Sequence, residues 1–305
     1  MEAVNVTLIG TAATVPEVNR ALASTLIQIG GDRTLIDAGE GTTVSLTTSA
    51  GISVAKIDRL IVTHYHADHV LGIPGLLKKR STIAESEALN IYALPSVCER
   101  LEALFRATYT SDYILHEFNI GDELAIGDDF TLTAFHAEHR VKAVGFTFQE
   151  VDQPGRFDAA HAKAAGVTSG PDMGILARGG SITLEDGIIL NGADFVGAVR
   201  RGRKIVVSGD TCVTEDLKHE MQDATLGVLE ATFLDTDEAL AVRKGHMTVT
   251  QAIGVAGEAG AASLALTHLS HRYTRYEMRE EAKRACEAYA DLTVRVGRDG
   301  DVFEL

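Results

Sequence analysis

The chain has 305 residues, 45% of them hydrophobic, which is enough for one large buried core or two smaller ones. Its 28 basic and 43 acidic residues give a net charge of −15, which counts against a generally basic nucleic-acid binder and leaves any contact with a polyanion to local patches. Three scattered cysteines, Cys98, Cys212 and Cys286, imply neither a disulfide framework nor a cysteine-based zinc site.

The N-terminal residues Met1 to Gly10 lack a positive region, and their apolar run is too short for a signal peptide. No later stretch approaches the length of a membrane span. We therefore predict a cytoplasmic protein that has no membrane partner.

Short strands and helices alternate along the whole chain. Alternating or continuous apolar runs predict strands at Val4–Ile9, Thr25–Ile29, Thr34–Ile36, Leu60–Val62, Leu132–Phe135, Ile205–Val207 and Leu264–Leu266. Helical spacing predicts helices at Gly75–Arg80, Ser96–Ala107, Thr248–Ala259 and Tyr276–Ala290. With five prolines and no low-complexity linker, this pattern favours a single α/β domain over residues 1–305, with sheets in the middle and helices outside.

A cluster of metal-binding residue types follows the strand Leu60–Val62. The run Thr63-His64-Tyr65-His66-Ala67-Asp68-His69 places three imidazoles and one carboxylate within six positions, and an apolar segment follows it. Imidazole nitrogen and carboxylate oxygen are preferred ligands of zinc and similar divalent metals. A polar surface loop rich in histidine is the alternative, but the apolar segment argues for a cluster held against the core.

Three further strands end in a histidine or an aspartate. His139, Asp210 and His268 follow the strands Leu132–Phe135, Ile205–Val207 and Leu264–Leu266, and His136 is an alternative to His139. An aspartate can bridge two ions with its two oxygens. The sequence therefore predicts one metal held by His64, His66, His139 and Asp210, and a second held by Asp68, His69, Asp210 and His268. Zinc, manganese or iron would suit these ligands, and zinc is the expected metal.

Several motifs together resemble those of the metallo-β-lactamase superfamily and, within it, of the ribonuclease Z branch. The His-rich run looks like the superfamily signature. Segments similar to the ribonuclease Z branch follow in the family's order: Leu71-Gly72-Ile73-Pro74-Gly75, Ser208-Gly209-Asp210-Thr211, Glu230-Ala231-Thr232-Phe233, Gly245-His246-Met247-Thr248 and Thr267-His268-Leu269-Ser270-His271-Arg272-Tyr273.

This resemblance implies a four-layer αβ/βα sandwich with a dimetal site at one edge and hydrolysis of a phosphodiester in precursor tRNA. It makes Asp68 the proton acceptor and places His246, oriented by Glu230, near the leaving 3′-oxygen, where a histidine can act as an acid. Alternatively, His246 only precedes a helix start at Thr248. Residues close to His268 in sequence would hold the scissile phosphate: Ser270, Arg272 and Tyr273. The family also implies a homodimer and a substrate-clamping arm, here at about residues 152–190.

Two features depart from the ribonuclease Z pattern. The family's Pro-Xaa-Lys-Xaa-Arg-Asn loop has Val18 at the Lys position and Ala21 at the Asn position, and residues 150–190 carry three basic against six acidic residues. The positive runs at 78–80 and 200–204 could contact tRNA instead, or could be solvated turns. These features favour an alternative, a hydrolase of a small phosphodiester or aryl sulfate. A non-catalytic metal-binding protein is a second alternative, but it should lack a ligand, and all seven positions are filled.

Overall fold

The computed structural model describes residues 2–83, 87–168 and 170–305. Its strands are β1 Val4–Gly10, β2 Ser24–Ile29, β3 Asp32–Ile36, β4 Arg59–Ile61, β5 Leu89–Ala93, β6 Tyr113–Glu117, β7 Glu123–Ile126, β8 Phe130–Ala137, β9 Ala143–Glu150, β10 Ser181–Thr183, β11 Ile189–Asn191, β12 Lys204–Val207, β13 Leu226–Glu230, β14 Ser263–Thr267, β15 Thr293–Val296 and β16 Val302–Glu304. Its α-helices are α1 Thr42–Thr48, α2 Ala67–Val70, α3 Ile73–Ile83, α4 Pro95–Ala107, α5 Ala159–Ala164, α6 Gly170–Ala177, α7 Glu215–Met221, α8 Glu238–Lys244, α9 Val249–Glu258 and α10 Arg275–Cys286.

Two seven-stranded sheets form the centre of the larger of two compact units, which comprises residues 1–149 and 203–305. The strand orders are β16-β1-β2-β3-β4-β5-β6 and β15-β14-β13-β12-β9-β8-β7. One buried cluster includes Leu26 and Leu35 of the first sheet and Phe146 and Phe148 of the second. A second cluster joins the second sheet to α7, α9 and α10. The architecture is the layered α/β sandwich predicted from the sequence.

Every predicted strand and helix overlaps an observed one, with ends that differ by a few residues. Two central strands, β9 and β13, were not predicted. Both are buried along nearly their whole length, so they lack the alternation that marks a strand with one solvated face. Thr248 caps α9 through a reciprocal capping box with Gln251, so the residue after His246 and Met247 does begin a helix.

Residues 150–202 form the second compact unit, with α5, α6 and the hairpin β10-β11 around a small core of its own. Leu176 and Phe195 are buried in that core. The arm predicted at about residues 152–190 falls within this unit, and its role in clamping a substrate stays a prediction. Among the described residues, no helix combines the length and apolar character needed to cross a membrane.

Candidate metal centre

The candidate site lies where the carboxyl ends of several strands meet. In the first sheet β3 and β4 are parallel neighbours, and in the second sheet β12, β13 and β14 are parallel neighbours. Parallel neighbours bring the residues after their last positions to one edge. This edge carries all the sequence-predicted ligands, in the order of the chain His64, His66, Asp68, His69, His139, Asp210 and His268.

The ligand atoms form two groups with Asp210 between them. Atoms of His64, His66, His139 and Asp210 lie within 4.8 Å of one another, and so do atoms of Asp68, His69 and His268. Asp210 Oδ2 is 3.7 Å from His64 Nε2, and Asp210 Oδ1 is 3.4 Å from His268 Nε2. Four ligands on a tetrahedral ion stand roughly 3.4 Å apart at zinc bond lengths of about 2.1 Å. These separations therefore suit two ions that share Asp210, as the sequence predicts.

A chain of hydrogen bonds fixes the orientation of His64. Thr63 donates its hydroxyl proton to Asp37 Oδ2 at 2.8 Å, and its oxygen is 2.9 Å from His64 Nδ1. A hydroxyl has only one proton, and Thr63 uses that proton in the hydrogen bond to Asp37. The Thr63 oxygen must therefore accept a hydrogen bond from His64 Nδ1–H. His64 Nε2 then faces the cluster, 2.9 Å from His66 Nδ1, and its lone pair is the one that would bind a metal.

His268 is held by the same arrangement in the other sheet. Thr232 donates its hydroxyl to Glu230 Oε2 at 2.6 Å and lies 2.8 Å from His268 Nδ1. The imidazole must therefore donate from Nδ1, so Nε2 presents its lone pair to Asp68 and Asp210. His268 has a backbone φ of 52°, a left-handed conformation that is uncommon for a residue with a side chain and is often found at functional sites.

Two further imidazoles, those of His139 and His69, are also oriented from outside the cluster, whereas His66 Nδ1 contacts His64 and His139 within it. His139 Nδ1 is 2.7 Å from the carbonyl oxygen of Gly245, and His69 Nδ1 is 2.7 Å from Asp37 Oδ2. His69 Nε2 is buried and lies 3.4 Å from Asp210 Oδ2, without good hydrogen-bond geometry to any described residue. A buried nitrogen of this kind carries a desolvation cost unless something binds it. Its position beside Asp210 and Asp68 fits a metal ion.

The charges in the cluster are strongly coupled. Burial, reinforced by the neighbouring His69, holds the pKa of His64 well below its usual range, and burial also lowers the pKa of His139. Burial would likewise lower the pKa of His69, but Asp210 and Asp37 outweigh it and raise the pKa. Without a metal, the proton on His69 balances buried carboxylates. A divalent cation would displace that proton.

Close backbone packing sets the position of the His-rich loop. The Ala38 N–H donates to the carbonyl of His69 at 2.8 Å, and the Gly72 N–H donates to the carbonyl of Ala38 at 2.9 Å. A Cβ added to Gly39 would stand 2.0 Å from the carbonyl oxygen of Asp68, so this position admits only glycine without a backbone shift. The Ala38–Gly39 segment that follows β3 therefore supports the His-rich loop that follows β4.

His246 and Glu230 lie beside the predicted ligands. His246 Nδ1 donates to Glu230 Oε1 at 2.8 Å, and the buried Glu230 also accepts from the Thr211 backbone N–H at 2.9 Å. Burial lowers the pKa of His246, but the Glu230 carboxylate outweighs it and raises the pKa to about 9. Atoms of His246, Asp210 and His268 also lie close enough to one another to surround an ion.

The other sequence-predicted residues lie at varying distances from the cluster. His136, the alternative to His139, is exposed, and its Nδ1 is 4.0 Å from Asp216. The Tyr273 hydroxyl donates to Asp237, so its proton already has an acceptor. Ser270 is buried and accepts from the Arg272 backbone N–H at 3.3 Å. Because His136 is exposed while His139 lies in the ligand cluster, the structure favours His139 over His136 as the ligand.

Sequence reasoning missed four groups that orient the imidazoles: the Asp37 carboxylate, the Thr63 and Thr232 hydroxyls and the Gly245 carbonyl. Thr63 and Thr232 stand inside the motifs named above, which gave them no role of their own. The signal for Asp37 was its place directly after a strand, like the ligands themselves. A backbone carbonyl such as that of Gly245 leaves no trace in the sequence.

The comparisons with known proteins agree with this architecture. Residues 21–149 match the model of the metallo-beta-lactamase superfamily, and residues 191–269 match a beta-lactamase superfamily domain. The solved structure of the metallo-beta-lactamase fold protein YhfI from Bacillus subtilis has a TM-score of 0.72 and 22% identity over the full length of both chains. The fold and the His/Asp cluster define a protein of the metallo-β-lactamase class that could hold divalent metal ions.

Similar proteins identify the family to which the chain belongs within this class. Ribonuclease Z from Myxococcus xanthus is 36% identical over 262 residues, which cover 85% of this chain and 84% of that protein. The short form of human tRNase Z shares the fold, with a TM-score of 0.67 and 23% identity over 98% of both chains. The chain belongs to the ribonuclease Z family.

Proposed function

We propose that this chain is an endoribonuclease that removes the 3′ trailer from precursor tRNA with the help of two divalent metal ions. Among the divalent metals, zinc suits the His and Asp ligands best. The observation that supports this most directly is the convergence of all seven predicted ligand side chains, together with the Glu230–His246 pair, in a member of the ribonuclease Z family. When bound, two divalent ions would lower the pKa of a water molecule and offset charge on the phosphate oxygens.

Asp68 is placed to accept a proton from the attacking water. Its Oδ2 accepts from the Thr14 backbone N–H at 2.9 Å and is 3.4 Å from His268 Nε2. Burial would raise the pKa of Asp68, but the neighbouring imidazoles of His268 and His69 outweigh it and lower the pKa. Asp68 is therefore a carboxylate at neutral pH, as a base and a metal ligand must be.

His246 is placed to protonate the leaving 3′-oxygen. Glu230 holds its Nδ1, so the other ring nitrogen remains for the substrate, and the pKa of about 9 keeps the ring protonated at neutral pH. An alkoxide is a poor leaving group without such a proton. Glu230 acts through His246, and we assign it a positioning role.

An arginine cluster can meet the phosphates of tRNA despite the net charge of −15. A cavity of about 560 Å³ beside the loop at residues 16–21 is lined by four arginines, Arg20, Arg272, Arg275 and Arg298, and by the carboxylates of Glu17 and Asp299. Arg20 pairs with Glu17 and Arg275 donates to two backbone carbonyls, so the exposed Arg272 and Arg298 are the arginines placed to meet phosphates. Burial and the charges of Arg298 and other nearby arginines lower the pKa of Arg275, as expected where cations crowd. A polyanion would relieve this repulsion. Arg80 of the predicted 78–80 patch cannot serve, because it is buried and donates to the Val54, Ala55 and Ile57 carbonyls.

A small phosphodiester or aryl sulfate remains the second candidate substrate. It is favoured by Val18, which takes the place of the family's lysine and is 91% exposed, and by the acidic surplus of residues 150–190. The homodimer and the cytoplasmic location also stay predictions. A dimer would have twice the 32.6 kDa mass of one chain, which light scattering would detect.

The test compares a 3′-extended precursor tRNA with bis(p-nitrophenyl) phosphate and an aryl sulfate, using metal-loaded protein. We expect Asp68→Ala to lose all activity. We expect His246→Gln to lose tRNA cleavage but keep most turnover of the nitrophenyl ester, because nitrophenolate leaves without a proton. Turnover of only the small esters by the unaltered protein would overturn the tRNA assignment and leave the hydrolase.

A further inference from the structure

A cavity of about 650 Å³ opens beside the candidate metal centre, within the larger compact unit. It lies between the beginning of α4, the segment before β7 and the connection from β8 to β9. Its lining includes Leu94, Pro95, Ile120, His139, Val141 and Lys142. None of the roles proposed above uses this cavity, apart from the ligand role of His139.

His139 connects the cavity to the metal centre. Its Nε2 is 3.1 Å from His66 Nδ1, inside the first ligand group, while the residue also lines the cavity. Its ring is fixed, because Nδ1 is held at 2.7 Å by the carbonyl of Gly245. A phosphodiester at the ligand cluster would have a nucleoside on each side of the phosphorus. Because His139 belongs both to the ligand cluster and to the cavity lining, the cavity adjoins the position of one of these two nucleosides.

The lining suits a flat, partly apolar ring. Leu94, Pro95 and Val141 contribute apolar atoms, and Ile120 is 51% exposed, a large fraction for an isoleucine. Lys142, on the lining, is exposed and makes no hydrogen bond or ion pair with any described residue. The lining also carries polar groups, from Ser96, Asn119, His136 and Glu138. Apolar surface combined with polar groups is typical of small-molecule sites, and the volume lies in their range of about 300–1,000 Å³.

We propose that this cavity binds the nucleobase of a nucleotide that flanks the scissile phosphate. The base lies against Ile120 and Val141, and Lys142 faces the backbone phosphate on the cavity side. This inference rests on the proposed function, because it takes a nucleic acid as the substrate. It adds a specificity site that a small aryl ester would not need.

The chain contains no tryptophan, which provides a direct measurement of binding. An Ile120→Trp variant would place a single fluorophore on the cavity lining. The matched control is Ile114→Trp on β6, because Ile114 is 48% exposed and does not line the cavity. Both metal-loaded variants are titrated with adenosine 5′-monophosphate and adenosine 3′-monophosphate, after circular dichroism has shown that both are folded.

We expect saturable quenching of Ile120→Trp by stacking and no saturable change in Ile114→Trp. Quenching by the 5′-monophosphate would assign the cavity to the nucleoside on the trailer side, and quenching by the 3′-monophosphate to the nucleoside on the tRNA side. Equal responses of the two variants, or no response of a folded Ile120→Trp, would overturn the proposal.

A kinetic test separates this proposal from the proposed function. Ile120→Ala should raise KM for the precursor tRNA about five-fold, with kcat unchanged. An unchanged KM for tRNA would refute the proposed role of the cavity and would leave the proposed function intact. Failure of the unaltered protein to cut any RNA would instead refute the proposed function, and the fluorescence titration would still report on the cavity.

Discussion

Thr232→Val tests whether the hydroxyl between Glu230 and His268 sets the metal-binding form of that histidine. Thr232 is 4% exposed, and valine has nearly the same shape, so the substitution removes the hydroxyl and little else. Two hydrogen bonds disappear: the one to Glu230 Oε2 at 2.6 Å and the one from His268 Nδ1 at 2.8 Å. Glu230 keeps the backbone N–H groups of Thr232 and Met247 on the same oxygen, at 3.3 and 3.2 Å.

His268 Nδ1–H therefore carries most of the loss. A buried donor left without a partner costs roughly 1–3 kcal/mol. Removing the residue that orients a metal-binding histidine typically lowers the affinity for the metal about 10- to 100-fold, which corresponds to roughly 1.4–2.8 kcal/mol of binding free energy. We expect an increase of that size in the dissociation constant for one zinc ion of the two.

The assay is competition for zinc with a chromophoric chelator, and the control is Thr267→Val. Thr267 precedes His268 on the chain, and its buried hydroxyl has no hydrogen-bond partner among the described residues. Valine at position 267 should therefore leave zinc affinity unchanged and should not lower the free energy of unfolding. The reasoning would be refuted if Thr232→Val bound zinc as tightly as Thr267→Val, or if both variants weakened binding equally.

Three further predictions follow from the site and its support. His139→Ala should reduce the bound metal from two ions to one in elemental analysis, whereas His136→Ala should leave two; a loss with His136→Ala would reverse the assignment. Gly39→Ala should lower the free energy of unfolding by about 3 kcal/mol in urea titrations, because its Cβ would overlap Asp68. Gly75→Ala in α3, whose Cβ meets no atom within 4 Å, should stabilise by about 0.5–1 kcal/mol, and equal losses would contradict the packing argument. Arg298→Ala should weaken tRNA binding and reduce the slope of log affinity against log salt by about 1, as measured by filter binding in a salt series; an unchanged slope would exclude a phosphate contact.

The sequence was enough to predict the ligand types and the layered fold, because both depend on local patterns. Apolar runs that end in histidine or aspartate mark strand ends, and the carboxyl ends of parallel strands meet at one edge of a sheet. His64, His66, Asp68 and His69 are also close together in the chain, so their shared role needed no long-range information. The choice of His139 over His136 did need it, because both follow the same strand.

Only the tertiary structure decided how each candidate side chain is used. Thr232 meets His268 across 36 positions of sequence, and Asp37 meets His69 across 32. Such a pairing depends on which strands lie side by side, and the partner that holds one ring nitrogen decides which nitrogen faces the metal. The same reason explains Arg80 and Tyr273, which look available in the sequence. In the folded chain Arg80 donates to backbone carbonyls, and the Tyr273 hydroxyl donates its hydrogen bond to Asp237.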